Sequence, residues 1–321
     1  MAILVTGGAG FIGSNLVARL ISDGEETHVL DNLSSGRMES LDRVRGDPKF
    51  HFHKVDLLQK ESLALPRECK TICHLAANPE VRLGVTNPEV HFSQNILATF
   101  NLLEAARKSD IEMLSFASTS TVYGDARTVP TPEDYSPLQP ISMYGASKLA
   151  CESIISSYAH NYGIRSIIYR LANIIGSDST HGVIYDFAGK LVRNPSLLEV
   201  LGDGTQNKSY LHISDCVSAM MIGHQNATDR VNVYNIGSQD QIEVRDIAAA
   251  VIDAMQVSPT GTSIEFTGGV ENGRGWKGDV KKMLLDVSRI MSLGWKPRYG
   301  SLEAVRLTAR ELAQKVLYTT K

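Results

Sequence analysis

Cysteine is scarce in this 321-residue chain, and its four copies, Cys69, Cys73, Cys151 and Cys216, are scattered without a CxxC pair. That excludes the spacings of zinc ribbons and thioredoxin-like redox sites, and it predicts reduced structural thiols, the pattern of a cytoplasmic protein. No metal is expected at the functional site. No apolar run approaches the roughly 20 residues that span a bilayer. The opening MAILVTGG also lacks a basic leader and a cleavage site, so neither a membrane nor secretion is expected. Charge of one sign is not in excess either, since 32 Lys and Arg face 35 Asp and Glu for a net −3. Nothing electrostatic therefore points to nucleic acid as a partner, and any phosphate must be bound locally. Repeats and low-complexity tails are missing. What is present, 43% hydrophobic and 21% charged residues, is the composition of a soluble globular protein with a large core.

Short branched apolar runs alternate with segments of helical period, the pattern of a parallel sheet wrapped by helices. Strands are expected at about 2–6, 26–30, 50–55, 71–75, 111–117 and 164–170. The clearest helix is NILATFNLLEAAR, Asn95 to Arg107, with Ile96, Phe100, Leu103 and Ala106 as its buried stripe. The fold class is α/β: a Rossmann-type doubly wound parallel sheet over residues 1–172, then a smaller α/β substrate domain over 173–321. Some later segments are expected to pack back onto the first domain. Helical patterns return at Glu243 to Met255 and Leu302 to Val316. Ligands of such sheets bind beyond the carboxyl ends of the strands, which makes a cleft between the two regions the default site.

ILVTGGAGFIG sets Gly7, Gly10 and Gly13 after a strand and at the start of a helical pattern. The first glycine permits a tight turn, the second lets the backbone approach a pyrophosphate, and the third lets helix and strand pack closely. Asp31 ends the second strand, where a carboxylate accepts from ribose hydroxyls and repels a 2′-phosphate. NAD is favoured over NADP, although Arg37 leaves room for the alternative.

MYGASKLA puts Tyr144 and Lys148 on one helical face. A phenol titrates near pH 10, so a tyrosine base at neutral pH needs about 4 kcal/mol of help. An exposed lysine supplies at most about 1 kcal/mol, so the pair works only where water is excluded. A row of hydroxyls, Ser118, Thr119, Ser120 and Thr121, stands at the end of another expected strand.

With TGGAGFIGS, DNLSSG, VDLL, HLAA, STSTVYG, YGASK and RLANIIG all present, the chain resembles the extended short-chain dehydrogenase/reductases that act on nucleotide sugars. The resemblance implies a cofactor site of Gly7, Gly10, Phe11, Ile12, Gly13, Asp31, Asn32, Ser34, Ser35 and Gly36. Asp56 and Leu57 flank the adenine, Leu75, Ala76 and Ala77 line the cofactor, and Asn95 supports it. It also implies Tyr144 as base, Lys148 as its support, and Thr119 as the catalytic hydroxyl, with Ser118 as the possible substitute. Dehydratases and decarboxylases of the family typically carry an acid just before VYG. Ser120 and Thr121 stand there instead, and a hydroxyl is a poor general acid or base.

The overall look is that of the family's UDP-glucose 4-epimerases, which implies a step of galactose metabolism. By residue type Asn173, His181 and Lys208 can donate to a nucleotide diphosphate, Arg274 can grip a phosphate, and Asp279 can accept from a ribose. Val183 joins them through the THGVIYDF motif. Lys208 departs from the arginine usual there, and Trp276 occupies another arginine position, so Arg274 is a displaced candidate. The expected partners are a UDP-sugar and a second copy of the chain. N-acetylhexosamine epimerase, glucuronate decarboxylase, 4,6-dehydratase and a non-catalytic nucleotide sensor remain the alternatives.

Overall fold

The computed structural model describes residues 2–256, 258 and 261–318. Two compact units share the chain: Met1–Val122, Ser142–Arg170 and Val217–Tyr234 form the first, and Tyr123–Ile141, Leu171–Cys216 and Asn235–Lys321 the second.

The first unit is built on strands β1 (Ala2–Thr6), β2 (Glu26–Asp31), β3 (Phe50–Lys54), β4 (Cys69–His74), β5 (Met113–Thr119) and β6 (Arg165–Leu171). Each lies within two residues of its expected place at the N-terminal end. Short strands follow in the second unit, β7 (Asn173–Ile175), β8 (Leu197–Val200), β9 (Asn207–Lys208) and β10 (Tyr210–His212). The chain then returns with β11 (Val231–Ile236), and the seven-stranded sheet has the order β11-β6-β5-β4-β1-β2-β3. The pairings from β5 through β4, β1 and β2 to β3 are parallel. The order reverses between β1 and β4, the switch point where this architecture takes its ligands.

One core cluster of this unit joins Leu4, Leu30, Ile72, Leu114 and Phe116 of the sheet to Leu102, Ala106, Cys151 and Ile155 of two helices. Those helices are Ala98–Ala106 and Met143–Tyr162. The first differs from expectation. A π turn, Phe92–Leu97, precedes it, and its wider winding shifts the phase of the face, so Ala98, Leu102, Leu103 and Ala106 are buried while Phe100 is 37% exposed. The second helix starts where Ser142 caps it by accepting from the Gly145 N–H at 3.1 Å, and ends at Gly163 in the left-handed conformation. The cap fixes Tyr144 in the first turn. All four cysteines are buried and free.

The second unit packs its core from helices Val183–Arg193, Val244–Met255 and Ser301–Tyr318, with Phe187, Leu191, Ile247, Val251 and Val305 buried together. No helix among the described residues is long and apolar enough to cross a membrane.

Candidate active site

The loops beyond β1 and β4 meet closely in the first unit. Gly7 has φ +69°, and a Cβ there would lie 2.6 Å from the Ala76 amide nitrogen, so no other residue fits. A Cβ on Gly13 would lie 2.2 Å from the Gly7 carbonyl oxygen, which holds the helix Phe11–Ser22 tight against the strand. Gly10 is the N-cap of that helix, no side chain caps it, and no acid occupies its first turn beside Phe11 and Ile12. The first-turn N–H groups are thus left to an anion.

Asp31 is 9% exposed at the end of β2 and ties the loops together. Its Oδ2 accepts from the Ala9 N–H at 3.0 Å and its Oδ1 from the Leu33 N–H at 2.8 Å. Asn32 accepts from the Ser34 N–H at 3.0 Å, Ser34 and Ser35 are exposed, and a Cβ on Gly36 would touch Asp31 Oδ2 at 3.0 Å. Asp56 accepts from the Leu58 N–H at 2.9 Å, and Leu57 is buried in the core. The Leu75 N–H donates to Thr6 O at 3.1 Å, with Ala76 and Ala77 half-buried beyond it. Asn95 is 1% exposed in the π turn. It accepts from the Asn78 N–H at 2.8 Å and donates to Ser147 Oγ at 2.9 Å, joining the β4 loop to the helix of Tyr144. A glycine cradle, an uncapped helix and a carboxylate at the next strand end fit a dinucleotide.

The hydroxyl row divides. Ser118 and Thr119 finish β5, while Ser120 and Thr121 open a 3-10 turn, Ser120–Tyr123. Ser118 donates to Glu152, which pairs with Arg170 at 2.8 Å, and all three side chains are buried. Thr119 faces the other partners: its Oγ1 lies 3.1 Å from Thr121 Oγ1 and accepts from the Thr121 N–H at 3.2 Å, and its hydroxyl lies near enough to Tyr144 to favour the phenolate. Lys148 is 2% exposed, donates to the Ala117 carbonyl at 2.8 Å, and lies 6.0 Å from the Tyr144 ring centre.

Burial lowers Lys148 to about 8 and raises Tyr144 to about 12, the latter eased by the nearby Thr119 hydroxyl. Nearby, His74 spans Thr6 Oγ1 at 2.7 Å and Thr99 Oγ1 at 2.9 Å. Burial, then the charge of Lys148, holds it down at about 3, so it stays neutral and Lys148 keeps the local positive charge to itself. The set can accept and return a proton at one face of a bound molecule.

In the second unit Lys208 pairs with Asp279 at 2.5 Å and lies 5.6 Å from the centre of the Trp276 ring. Asp279 is 3% exposed and also accepts from the Gly275 N–H at 3.1 Å. Arg274 forks onto Asp125 at 3.1 and 2.9 Å and donates to the Asp279 carbonyl. Asn173 donates to the Ser209 carbonyl at 2.9 Å, next to Lys208. His181 is an exposed loop residue, and Val183 packs on the core cluster from the first turn of its helix.

Over residues 3–237 the sequence matches the NAD dependent epimerase/dehydratase family. The chain belongs to that family. A UDP-glucose 4-epimerase of Mycolicibacterium smegmatis is 32% identical, across 98% of this chain and 99% of its own. A crystal structure of a UDP-galactose 4-epimerase is 42% identical, with a TM-score of 0.86, and the match covers 98% of this chain and all of that one, 100%. A dTDP-glucose 4,6-dehydratase of Streptomyces venezuelae with NAD bound is 26% identical, with a TM-score of 0.88, over 99% and 98% of the two chains. The protein is thus an NAD-dependent enzyme of epimerase type on a Rossmann-type fold.

Within this epimerase/dehydratase fold, the support beneath the hydroxyl row escaped sequence reading. Glu152 lies one further turn along the face of Tyr144 and Lys148, so its spacing was a signal. Arg170, from β6, and Asp125, 149 positions before its partner Arg274, carried none.

Proposed function

We propose that the protein is a UDP-hexose 4-epimerase that interconverts UDP-galactose and UDP-glucose. The observation that carries this reading is the Thr119, Tyr144 and Lys148 set, with hydroxyls rather than a carboxylate at Ser120 and Thr121. Bound NAD, held by the Gly7–Gly13 loop and Asp31, supplies the acceptor and donor of hydride. Thr119 orients the sugar 4-hydroxyl and Tyr144 takes its proton. The ammonium of Lys148 favours the phenolate, in a place where burial alone opposes it. With hydroxyls at Ser120 and Thr121 where a carboxylate would move a second proton, the 4-keto sugar turns; hydride returned to the other face of C4, with Tyr144 giving its proton back to O4, would invert C4. Ser118, committed to Glu152, holds the strand end rather than the substrate. Asn173, Lys208, Arg274 and Asp279 of the second unit hold the uridine diphosphate, exchanging their present partners for it.

Incubation of the pure protein with UDP-galactose and no added NAD tests the reading, and UDP-glucose is the expected product. Carbon dioxide from UDP-glucuronate, or a 4-keto-6-deoxy sugar from UDP-glucose, would overturn it in favour of a decarboxylase or dehydratase. Turnover of UDP-N-acetylgalactosamine in preference to UDP-galactose would move the substrate within the same reaction. The reading includes a cytoplasmic homodimer. Phe92, Leu97 and Phe100, 57%, 40% and 37% exposed along one helical segment, support pairing of two copies there. Light scattering should give twice the chain mass.

A further inference from the structure

Strands β2 and β3 carry a cluster unrelated to the nucleotide. Alternate residues of a strand share a face, and His28 stands directly beside His51 in the β2–β3 register, so Glu26, His28, His51 and His53 project together. Glu68, just before β4, reaches the same place. The ligand atoms of Glu26, His28 and His51 all lie within 4.8 Å of one another. His51 Nε2 is 3.1 Å from Glu26 Oε1, and His28 Nε2 is 3.2 Å from Glu68 Oε1 and 3.9 Å from Glu26 Oε1.

His28 is 4% exposed, and its Nε2 is buried with no aligned hydrogen bond, the Glu68 contact being close but off axis. Its Nδ1 is 3.0 Å from His53 Nε2. When Nδ1–H donates to His53, the Nε2 lone pair of His28 is aimed at the two carboxylates. A second partner that fixes the tautomer of a ligating histidine is a usual part of metal sites.

We propose that Glu26, His28, His51 and Glu68 bind a dication of the zinc type. Two imidazoles and two carboxylates neutralise a 2+ charge. Tetrahedral zinc with bonds of about 2.0–2.1 Å needs ligand atoms roughly 3.3 Å apart; Glu26, His28 and His51 are already within 4.8 Å of one another, and the exposed Glu68, at 3.2 Å from His28, completes the set by turning its carboxylate toward the other two. Imidazole donors select zinc, nickel or copper over magnesium and calcium. Glu26 and Glu68, with side chains 47% and 51% exposed, leave an entry path. The site is at the start of β2, about 16 Å along the strand from Asp31. Its role is structural, tying the edge strand β3 to β2 and to the start of β4.

The test uses the full-length protein stripped with a chelator and titrated with Zn2+ by calorimetry, and with Co2+ by visible absorption. One ion per chain, a tetrahedral Co2+ spectrum, a higher Tm with Zn2+ and no response to Mg2+ are expected. His51→Gln and Glu68→Gln should each weaken binding by about 10-fold or more and abolish the Tm rise, while turnover of UDP-galactose is unchanged by chelator. Failure of the parent to bind one Zn2+ would overturn the proposal, as would binding undiminished in both variants. Glu68→Gln, at an exposed position, keeps the test decisive if His51→Gln does not fold.

Discussion

The two groups of candidate functional side chains are held in different ways. In the first unit Thr119, Tyr144 and Lys148 stand on a strand end and a capped helix, with Ser118, Glu152 and Arg170 closing a buried network behind them. In the second, Lys208, Arg274 and Asp279 lie on short strands and loops, and their charges are satisfied by one another and by Asp125. Rigid elements suit groups that must meet a reacting atom within tenths of an ångström. Ion pairs on loops suit groups that exchange one anion for another. The comparison predicts that changes in the first unit act on the rate and on folding, and changes in the second on affinity.

The largest effect should come from Tyr144→Phe, which keeps the ring and removes the proton acceptor. Its kcat for UDP-galactose should fall about 10²- to 10⁴-fold with KM nearly unchanged. A variant that loses affinity instead would erase the distinction. Glu152→Gln removes the buried carboxylate that pairs with Arg170 and accepts from Ser118, and should cost about 3–5 kcal/mol in denaturant unfolding. A loss confined to activity would mean that the network does not support the fold.

Lys148→Met probes the tension inside the site. Because folding lowers this ammonium from 10.5 to about 8, its burial is a cost below pH 8 that is relieved as pH rises toward 10.5. The variant should be inactive yet more stable at pH 7, by up to about 3 kcal/mol, with the advantage gone near pH 10.5. The parent's kcat/KM should show an alkaline limb near pH 8 as the charge is lost. The smallest effect is expected in the second unit, where Lys208→Ala should raise KM about tenfold and leave kcat within a factor of a few. Lys208→Arg, with its bidentate fork, should hold or lower KM.

Much of the first unit was legible because its signals are local. Glycines packed against a neighbouring backbone, Asp31 at a strand end and a tyrosine and lysine four apart are each readable within a few residues. The π turn at Phe92–Leu97 was not, since its sequence has an ordinary helical period and only the bonds of Asn95 to Asn78 and Ser147 show what it joins. The commitment of Ser118 to Glu152 depends equally on a helix 34 positions away.

By itself, then, the sequence determined the alternation of strands and helices, the glycine loop and the shared helical face of Tyr144 and Lys148, because periodicity, glycine geometry and helical spacing act over short range. Only the tertiary structure decided that Ser118 is committed to Glu152 while Thr119 is not, how far burial moves Tyr144 and Lys148, and that three histidines and two glutamates converge from β2, β3 and the segment before β4. Each of those depends on desolvation and on partners distant in the chain, quantities set by packing and not by order along it.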